Sequence, residues 1–529
     1  MNSAAPVNPA TSDSTPHLTG MLRRIFSFPV FLGTALSAGA MTVTMAWESG
    51  PVAGGKLFTD DTWWHLKVGE EILATHHWPT HDIYSFTVPG APWMAYEWLG
   101  EVVMAIAHRL AGLPGLAALL MLLAIAYVLL QYGYACLVSR NHLASAVAVA
   151  LLLPVESVSF SLRPQLLGFI FLLITLMCLE RFRQGKPRAL WVLPGVFLLW
   201  ANTHGSFLLG FLAIGLYWLS SLVSFRSGAL WAEGIDAGRR QRVLLVSLLC
   251  LLACLVTPYG TRLAVYPLEL LWQQPVIVQR IAEWQPLDMS QPYAHMFLLA
   301  VLLALAAQVA APVIYRLDTL ILVLLMIGES CLHARFLIIF AAVFAPVLAT
   351  LLARWLPTYQ KDQDHPVLNA ALVAAIVCGM VAAFPARAKL DQALAETFPV
   401  GALQHLRQHP IPGRMFNDAL WGGYLIWAAG PEHPVFIDGR FDIYEYGGTL
   451  TDCYNLISLR VKPESILAKY HINSVLLSRG SALDLYISSL AHWQRVYEDK
   501  ISTILQREDA SALVVGQSAN SQRNRSAAE

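Results

Sequence analysis

The sequence predicts an all-α polytopic membrane domain with about eleven transmembrane helices, followed by a small α/β extracytoplasmic domain. Three observations support this fold class. Of the 529 residues, 56% are hydrophobic and only 13% are charged, whereas soluble domains carry about 25% charged residues. Long apolar segments recur from residue 25 to residue 384. Beyond residue 385 the apolar runs shorten, and charged residues and glycines return.

The chain divides into four predicted regions. Residues 1–22 are polar, so we expect a disordered cytoplasmic N-terminus. The apolar stretch 25–47 is too long for the hydrophobic core of a signal peptide, which indicates a retained anchor within the membrane domain 23–384. The α/β domain covers 385–512, and a disordered tail covers 513–529. The predicted spans are 25–47, 114–138, 143–158, 164–180, 189–202, 205–223, 243–257, 294–311, 317–331, 336–353 and 366–384.

Basic residues orient these helices, because cytoplasmic loops are enriched in Lys and Arg. With Arg23 and Arg24 inside, strict alternation places the other basic loops inside as well. Residues 97–112 are apolar enough to suggest a further span, but that span would put 181–188 outside. We therefore expect 97–112 to lie in the membrane interface. The inner loops carry Arg140; Arg181, Arg183, Lys186 and Arg188; Arg226, Arg239, Arg240 and Arg242; Arg316; and Arg354 and Lys361.

Polar motifs collect on the opposite, outer side. This side receives the first loop 49–113, the turns 161–165 and 202–206, and the segments 257–286 and 328–335. Polar groups at this depth are costly, so they usually face a cavity or a site.

The first loop contains the stretch DDTWWHLKVGE at 60–70. Residues 62–74 fit an amphipathic helix on the bilayer surface, with the rings of Trp63 and Trp64 in the headgroup zone. Asp61 is either the N-cap of this helix or a carboxylate that takes part in chemistry.

The outer residues suit sugar transfer from a polyprenyl-phosphate donor. A lipid phosphate needs cations, a sugar needs aromatic faces and hydrogen-bonding groups, and an acceptor hydroxyl needs a carboxylate base. Asp61 or Asp60 can supply the base. The candidates for phosphate binding are Arg163, His204, His333, Arg335 and Lys67. The candidates for contact with the rest of the substrate are Trp63, Trp64, His65, Asn202, Glu283 and Trp284.

Each of these residues also has a structural explanation. Arg163 can reach toward lipid headgroups, and His204 can bond a neighbouring helix. His333 and Arg335 can simply end a helix. The weight of the functional interpretation therefore lies in the convergence of several reactive residue types on one membrane face.

The composition excludes other classes of function. Net charge is zero, which gives no general attraction to nucleic acid. The sequence has no Gly-rich phosphate loop and no cluster of zinc-spaced Cys and His. We expect no certain cofactor, and a divalent metal is possible but not indicated. The expected partners are a lipid-linked sugar, membrane lipid and an extracytoplasmic glycan, lipid or protein acceptor.

Three motifs carry a family resemblance. They are D-x-WWHL at 61–66 with Gly69, W-A-N-x-HG at 200–205, and FIDGR at 436–440. With these motifs, the chain resembles the GT-C class of integral-membrane glycosyltransferases, and most closely a bacterial group within that class. The resemblance implies a multi-pass protein of the bacterial cytoplasmic membrane. It also implies an inverting, hexosyltransferase-type enzyme without a nucleotide sugar, in which the first-loop acid, Asp61, is the general base.

The C-terminal domain alternates predicted strands and helices. Asp438 and Arg440 are expected to pair structurally at a strand end, with Gly439 allowing a tight turn, while acceptor binding by this region is left open. The predicted strands are 414–418, 434–440, 472–478 and 501–507, and the predicted helices are 399–408, 463–470 and 481–491. The alternative functions are a transporter or flippase for lipid-linked glycans and a non-catalytic assembly factor for surface polysaccharide.

Overall fold

The computed structural model describes residues 25–46, 58–273, 281–430, 433–445 and 447–508. It is mostly helical with a small sheet near the C-terminus, which confirms the broad fold class. The predicted disordered segments 1–22 and 513–529 lie outside the described residues.

The helices before residue 385 are numbered here in chain order. They are α1 (Phe28–Ala46), α2 (Asp60–Thr75), α3 (Trp98–Ser139), α4 (His142–Glu156), α5 (Gln165–Arg183), α6 (Leu193–Ala201), α7 (Phe207–Ser220), α8 (Ala237–Ala253), α9 (Thr261–Gln273), α10 (Pro292–Ala310), α11 (Leu317–Leu332), α12 (Leu337–Leu352) and α13 (Pro366–Ala383).

Seven helices in the described part of the chain are long and apolar enough to cross a membrane. The chain is therefore a multi-pass membrane protein, but the expected count of eleven spans is not confirmed. Four predicted spans, 189–202, 205–223, 243–257 and 317–331, correspond to α6, α7, α8 and α11, which are shorter than 18 residues. The seven candidates are Phe28–Met45, Trp98–Ser139, His142–Ser159, Gln165–Arg183, Pro292–Ala310, Ala334–Leu352 and Pro366–Ala383.

The helices α6 and α7 show why the count differs. They have 9 and 14 residues, so each is about 14 to 21 Å long at 1.5 Å per residue. A bilayer core is about 30 Å thick. The two helices meet at the turn 202–206, so each apolar segment ends within the protein at a polar turn.

Residues 97–112 form the first part of the 42-residue helix α3. The helix is interrupted at Gly112, whose φ of 63° and ψ of −142° are not helical. This break separates the first part of α3, which contains Glu101, His108 and Arg109, from a second part without charged residues. Helix α2 crosses the first part closely, because a Cβ at Gly69 would overlap the carbonyl of Glu101. The proposed interfacial position of this segment stays a prediction.

The helical part contains one small sheet that the sequence analysis does not predict. Strands β1 (Phe225–Ser227) and β2 (Leu230–Ala232) form a hairpin, and β3 (Tyr315–Arg316) pairs with β2 in parallel. The expectation of an all-α membrane domain is therefore wrong at this loop.

The C-terminal part contains a four-stranded sheet in the order β4-β5-β7-β6. Three strands and three helices agree with the predicted positions. The predicted strand 434–440 is wrong, because this stretch is irregular and makes a single parallel bridge, between Val435 and Ser85 of the first loop. The elements are α14 (Arg387–Thr397), α15 (Val400–Gln408), β4 (Arg414–Asn417), α16 (Ala419–Ala429), α17 (Phe441–Glu445), α18 (Thr449–Ile457), α19 (Pro463–Lys469), β5 (Ile472–Ser478), α20 (Ala482–Ser488), β6 (Trp493–Glu498) and β7 (Ser502–Arg507).

The amphipathic pattern of α2 predicts that its tryptophans lie on the bilayer surface. This prediction is wrong, because both rings are buried within the protein. Trp63 has no exposed surface, and Trp64 is 4% exposed. The ring of Trp63 packs against Phe398, Tyr424 and Trp427 of the C-terminal part. The aromatic face of α2 therefore packs against protein and not against lipid headgroups.

Candidate active site

Polar turns from separate parts of the chain meet at the N-terminal end of α2. Helix α2 begins at Asp60, and Thr59 is its N-cap, with the Thr62 hydroxyl accepting from the backbone N–H of Thr59. Asp61 is therefore not the N-cap, and its side chain faces Arg163 instead. Arg163 lies in the turn that separates α4 from α5.

Asp61 has a partner on each carboxylate oxygen. Arg163 Nη2 lies 2.9 Å from Oδ2, and the indole Nε1–H of Trp64 donates to Oδ1 at 2.9 Å. The side chain of Asp60 lies at the edge of this pair, 3.9 Å from Arg163 Nη2. Both aspartates keep 17% of their side-chain surface exposed. Asp61 is thus held in one orientation while it remains accessible.

The environment raises the pKa of both aspartates. Burial is the largest cause in each case. The negative charge of Asp61 raises the pKa of Asp60 further, and the charge of Arg163 opposes the shift in both. For Asp61, the hydrogen bond from Trp64 also opposes the shift. Burial therefore makes Asp61 a stronger base than a solvated aspartate.

Two arginines share one carboxylate beside Asp61. Arg163 Nη1 lies 3.3 Å from Glu283 Oε2, and Arg335 Nη1 lies 3.7 Å from Glu283 Oε1. Burial alone would raise the pKa of Glu283, but the charges of Arg335 and Arg163 outweigh it and lower the pKa. The guanidinium of Arg335 also lies 4.1 Å from the centre of the Trp284 ring. The arrangement is a pair of cations bridged by an anion.

A second group of acids and histidines lies next to the arginines. His65 contacts Glu101 through Nδ1 at 3.0 Å and Glu97 through Nε2 at 3.4 Å. His204 Nε2 lies 3.4 Å from Glu97. Burial, followed by the charge of Asp61, raises the pKa of Glu97 to about 8. Burial also lowers the pKa of both histidines.

Four predicted site residues have other surroundings. Trp63 is enclosed by aromatic rings. Lys67 Nζ lies 3.5 Å from Glu71 Oε1 on the same helix. His333 Nδ1 contacts the carbonyl oxygen of Trp284 at 2.7 Å. Asn202 accepts from the Trp98 indole at 2.8 Å and donates to two backbone carbonyls. The structure joins Asp61, Arg163, Arg335, His204, His65, Trp64, Glu283 and Trp284 into one cluster.

An apolar groove opens beside Asn202. Its volume is about 450 Å³, and Trp78, Trp98, Leu198 and Pro258 form part of its wall. The backbone N–H of Leu99 donates to the carbonyl of Asn202, and both residues belong to the groove wall. They are two residues away in sequence from Glu97 and His204, respectively.

The FIDGR stretch joins the C-terminal part to the first loop through a buried ion cluster. Arg440 Nη2 lies 2.7 Å from both Asp82 and Asp438, and all three side chains are fully buried. The guanidinium also lies 4.9 Å and 4.7 Å from the ring centres of Tyr84 and Trp93. The expected Asp438–Arg440 pair is present, and Arg440 also pairs with Asp82 of the first loop.

Sequence reasoning did not assign the acids Glu97 and Glu101 or the anchor Asp82 to the site. Glu97 and Glu101 lie in 97–112, which the charge rule assigned to an interfacial helix and not to the site. A usable signal was their position four residues apart, which places both carboxyls on one face of a helix.

We expect Gly439→Ala to displace Asp61. A Cβ at Gly439 would overlap Asp61 Oδ1 and lie 2.9 Å from Trp64 Nε1. Gly439 does not have positive φ, so its need for glycine is steric rather than the predicted tight turn. The variant should lose at least about tenfold in activity, since small misplacements of reacting groups are costly. Gly195→Ala is the control, because nothing lies within 4 Å of its added Cβ. Equal activity of the two variants would contradict this packing.

Within the described ranges, no three His, Cys, Asp or Glu side chains are arranged to hold a metal ion.

No family model matches the chain, and no curated protein matches it in sequence. Solved structures of an oligosaccharyltransferase from Archaeoglobus fulgidus do match. One, tethered to an acceptor peptide with the NVT sequon, is 11% identical with a TM-score of 0.49, and an apo form is 12% identical with a TM-score of 0.45. These matches cover 84% and 85% of this chain, respectively, and 69% of the matched chain.

The archaeal oligosaccharyltransferase AglB from the same organism, in complex with an inhibitory peptide and a dolichol-phosphate, is 11% identical with a TM-score of 0.50. The match covers 84% of this chain and 69% of AglB. At this identity the likeness concerns the fold alone. The chain therefore has a GT-C-like fold, the fold that the sequence resemblance implies.

Proposed function

We propose that the protein is a glycosyltransferase that moves a sugar from a polyprenyl-phosphate donor to an extracytoplasmic acceptor. One observation carries the proposal. An accessible carboxylate, Asp61, lies 2.9 Å from one arginine of a cationic pair within a GT-C-like fold. This arrangement supplies a base and an anion site at one point, which are the two needs of the reaction.

In the proposed step, Asp61 accepts the proton of the acceptor hydroxyl. The acceptor oxygen forms a bond to the anomeric carbon of the sugar, and the bond from that carbon to the phosphate oxygen breaks. Polyprenyl phosphate leaves with the bonding electrons and an added negative charge. Arg163 and Arg335 stabilise that charge through charge-assisted hydrogen bonds. Attack opposite the leaving group inverts the anomeric centre.

The donor phosphate has a definite position in this proposal. It replaces the Glu283 carboxylate between Arg163 and Arg335, because that carboxylate occupies the point nearest both cations. The aromatic ring of Trp284 borders the same point. The groove beside Trp98 offers apolar walls for the isoprenoid chain. AglB was solved with a dolichol-phosphate, which supports a lipid-linked donor as the kind of partner.

The proposed location is the bacterial cytoplasmic membrane, with a membrane domain 23–384 and an extracytoplasmic domain 385–512. The contacts of Trp63 with Tyr424 and Trp427 support placing the C-terminal domain on the same side as the first loop. The hexosyltransferase type is part of the same proposal.

The test is transfer by the purified full-length protein in lipid nanodiscs. Synthetic polyprenyl-phosphate hexoses are supplied with a membrane extract as the source of acceptor, and the release of polyprenyl phosphate is measured. We expect Arg163→Gln to reduce release by about tenfold to a thousandfold, since one charged hydrogen bond to a developing anion is lost. Lys67→Gln is the matched control and should stay within about twofold, because Lys67 contacts Glu71 instead of the cluster.

Two outcomes would contradict the proposal. One is the absence of polyprenyl phosphate release by the wild type while the same protein in closed proteoliposomes moves the uncleaved donor across the bilayer, which would favour the transporter alternative. The other is equal release by Arg163→Gln and Lys67→Gln.

A further inference from the structure

Four titratable side chains form a continuous chain of contacts beside the arginine pair. The order is Glu101, His65, Glu97, His204, with successive distances of 3.0, 3.4 and 3.4 Å. Glu101, His65 and Glu97 are 0%, 3% and 7% exposed. Each contact joins a nitrogen to an oxygen, so each needs one hydrogen between them. The distribution of hydrogens therefore decides which carboxyl is charged.

The hydrogen of His204 can be assigned from its backbone partner. The backbone N–H of Ser206 donates to His204 Nδ1 at 3.0 Å, so Nδ1 carries no hydrogen. Burial lowers the pKa of His204 to about 3, so the ring is neutral near pH 7. Its one hydrogen is then on Nε2 and points to Glu97.

His65 has a carboxyl group at each ring nitrogen. A neutral ring carries one hydrogen, so one contact uses the ring N–H and the other uses a protonated carboxyl. Two arrangements satisfy this condition. In the first, Glu101 is protonated and Glu97 is the anion; in the second, these states are exchanged. They interconvert when Glu101 gives its proton to Nδ1 while Nε2 gives its proton to Glu97.

The first arrangement suits the site without a donor. The Glu97 anion then accepts N–H groups from His65 and His204, and the charges of Arg163 and Arg335 act favourably on it. Among the described residues, Glu101 Oε2 has no hydrogen-bond partner, which costs a neutral acid less than an anion.

A phosphate between the arginines changes this balance. A phosphate monoester there carries close to two negative charges, whereas the Glu283 carboxylate that it replaces carries one. The additional charge adds a repulsion for the Glu97 anion. Protonation of Glu97 removes the repulsion. The negative charge is then on Glu101, which lies beyond His65 as seen from the arginines and interacts with Arg440. The other groups whose charges bear on Glu97 are Asp61 and Asp442, and the Tyr96 hydroxyl is electrostatically coupled to Glu97.

We propose that His65 passes a proton from Glu101 to Glu97 when a phosphate binds at Arg163 and Arg335. The inference rests on the phosphate site of the proposed function. It makes Glu97, His65 and Glu101 positioning residues that set the charge next to the donor without taking a proton from solvent.

Two isosteric substitutions should have opposite effects on the affinity of the site for phosphate. Glu101→Gln offers an amide N–H to His65 Nδ1, which keeps the ring hydrogen on Nε2 and Glu97 as the anion. Glu97→Gln mimics protonated Glu97 and keeps the negative charge on Glu101. If the four residues only support the fold, there is no reason for the two variants to change the affinity for phosphate in opposite directions.

The measurement is the Kd of farnesyl monophosphate for the full-length protein in nanodiscs, by calorimetry at pH 6 and pH 8. Glu101→Gln should weaken binding about twofold at pH 8, because Glu97, with a pKa of about 8, is then about half ionised and its charge opposes the phosphate. Binding should recover at pH 6, where solvent protonates Glu97. Glu97→Gln should bind as tightly as the wild type or more tightly at both pH values. Changes of the same sign, or no change in either variant, would overturn the proton transfer.

Two controls separate this inference from the proposed function. If Arg163→Gln and Arg335→Gln leave the Kd unchanged, the phosphate site itself is wrong. If they weaken binding while the glutamine variants do not diverge, only the proton transfer is wrong. A test on the wild type covers the case in which a variant does not fold. Calorimetry in buffers of different ionisation enthalpy should give net proton uptake near zero at pH 8, and uptake of about one proton would contradict the internal transfer.

Discussion

Asp61→Asn is expected to lower the rate of sugar transfer by about 10²- to 10⁴-fold, the usual contribution of a general base. The amide keeps the size of the side chain and can still accept from the Trp64 indole, but it cannot take the acceptor proton. Because burial raises the pKa of Asp61, the wild-type rate should increase with pH as the carboxyl loses its proton. The variant should lose that dependence. Initial rates of polyprenyl phosphate release between pH 5 and 8 provide the measurement.

Asp60→Asn is the matched control, because Asp60 precedes Asp61 on the same helix and lies 3.9 Å from Arg163. Its variant should keep activity within about tenfold, since it affects the base only through charge. Full activity of Asp61→Asn with loss of activity in Asp60→Asn would transfer the role of base to Asp60. Full activity of both variants would refute the assignment of either.

Arg440→Met is expected to destabilise the protein by about 3–5 kcal/mol, which is typical when one partner of a buried ion pair is removed. Asp82 and Asp438 would be left as neighbouring acids without their cation, in a place with no exposed side-chain surface. The linear methionine retains much of the packing volume, so the loss is mainly electrostatic. The thermal unfolding midpoint in detergent and the protease resistance of the C-terminal part are the measurements.

Lys469→Met is the control for this prediction. Lys469 also pairs with an aspartate, Asp452, but its side chain is 57% exposed. Exposed pairs contribute about 0–1 kcal/mol, so this variant should stay close to the wild type. A loss of stability in Arg440→Met no larger than in Lys469→Met would show that the FIDGR stretch does not anchor the C-terminal part.

Several site residues were predictable because polar side chains are costly next to apolar helices. Asp61, Arg163, His204 and Arg335 follow or interrupt apolar segments, and their alternation with basic loops placed them on one side. This reasoning uses only composition and the order of segments. The reasoning selects a set of residues, and the structure shows where these residues lie relative to one another.

The helix count was less predictable because hydropathy does not reveal how far a helix extends. Helices α6 and α7 are as apolar as full spans, yet they end at the polar turn 202–206. Trp63 and Trp64 fit a surface helix equally well, since an amphipathic face can be covered by lipid or by protein. Contacts with residues more than 300 positions later decide between these possibilities.

The membrane class, the position of the α/β region and most of the reactive side chains could be predicted from the residues alone, because these features depend on local composition and on periodic patterns. The partners of those side chains could not: Asp61 pairs with Arg163, Glu97 with two histidines, and Arg440 with Asp82. The physical reason is that charge and proton sharing depend on distances of a few ångströms between residues far apart in the chain. Those distances are set by close packing, such as the contact of Gly439 with Asp61, which no local pattern encodes.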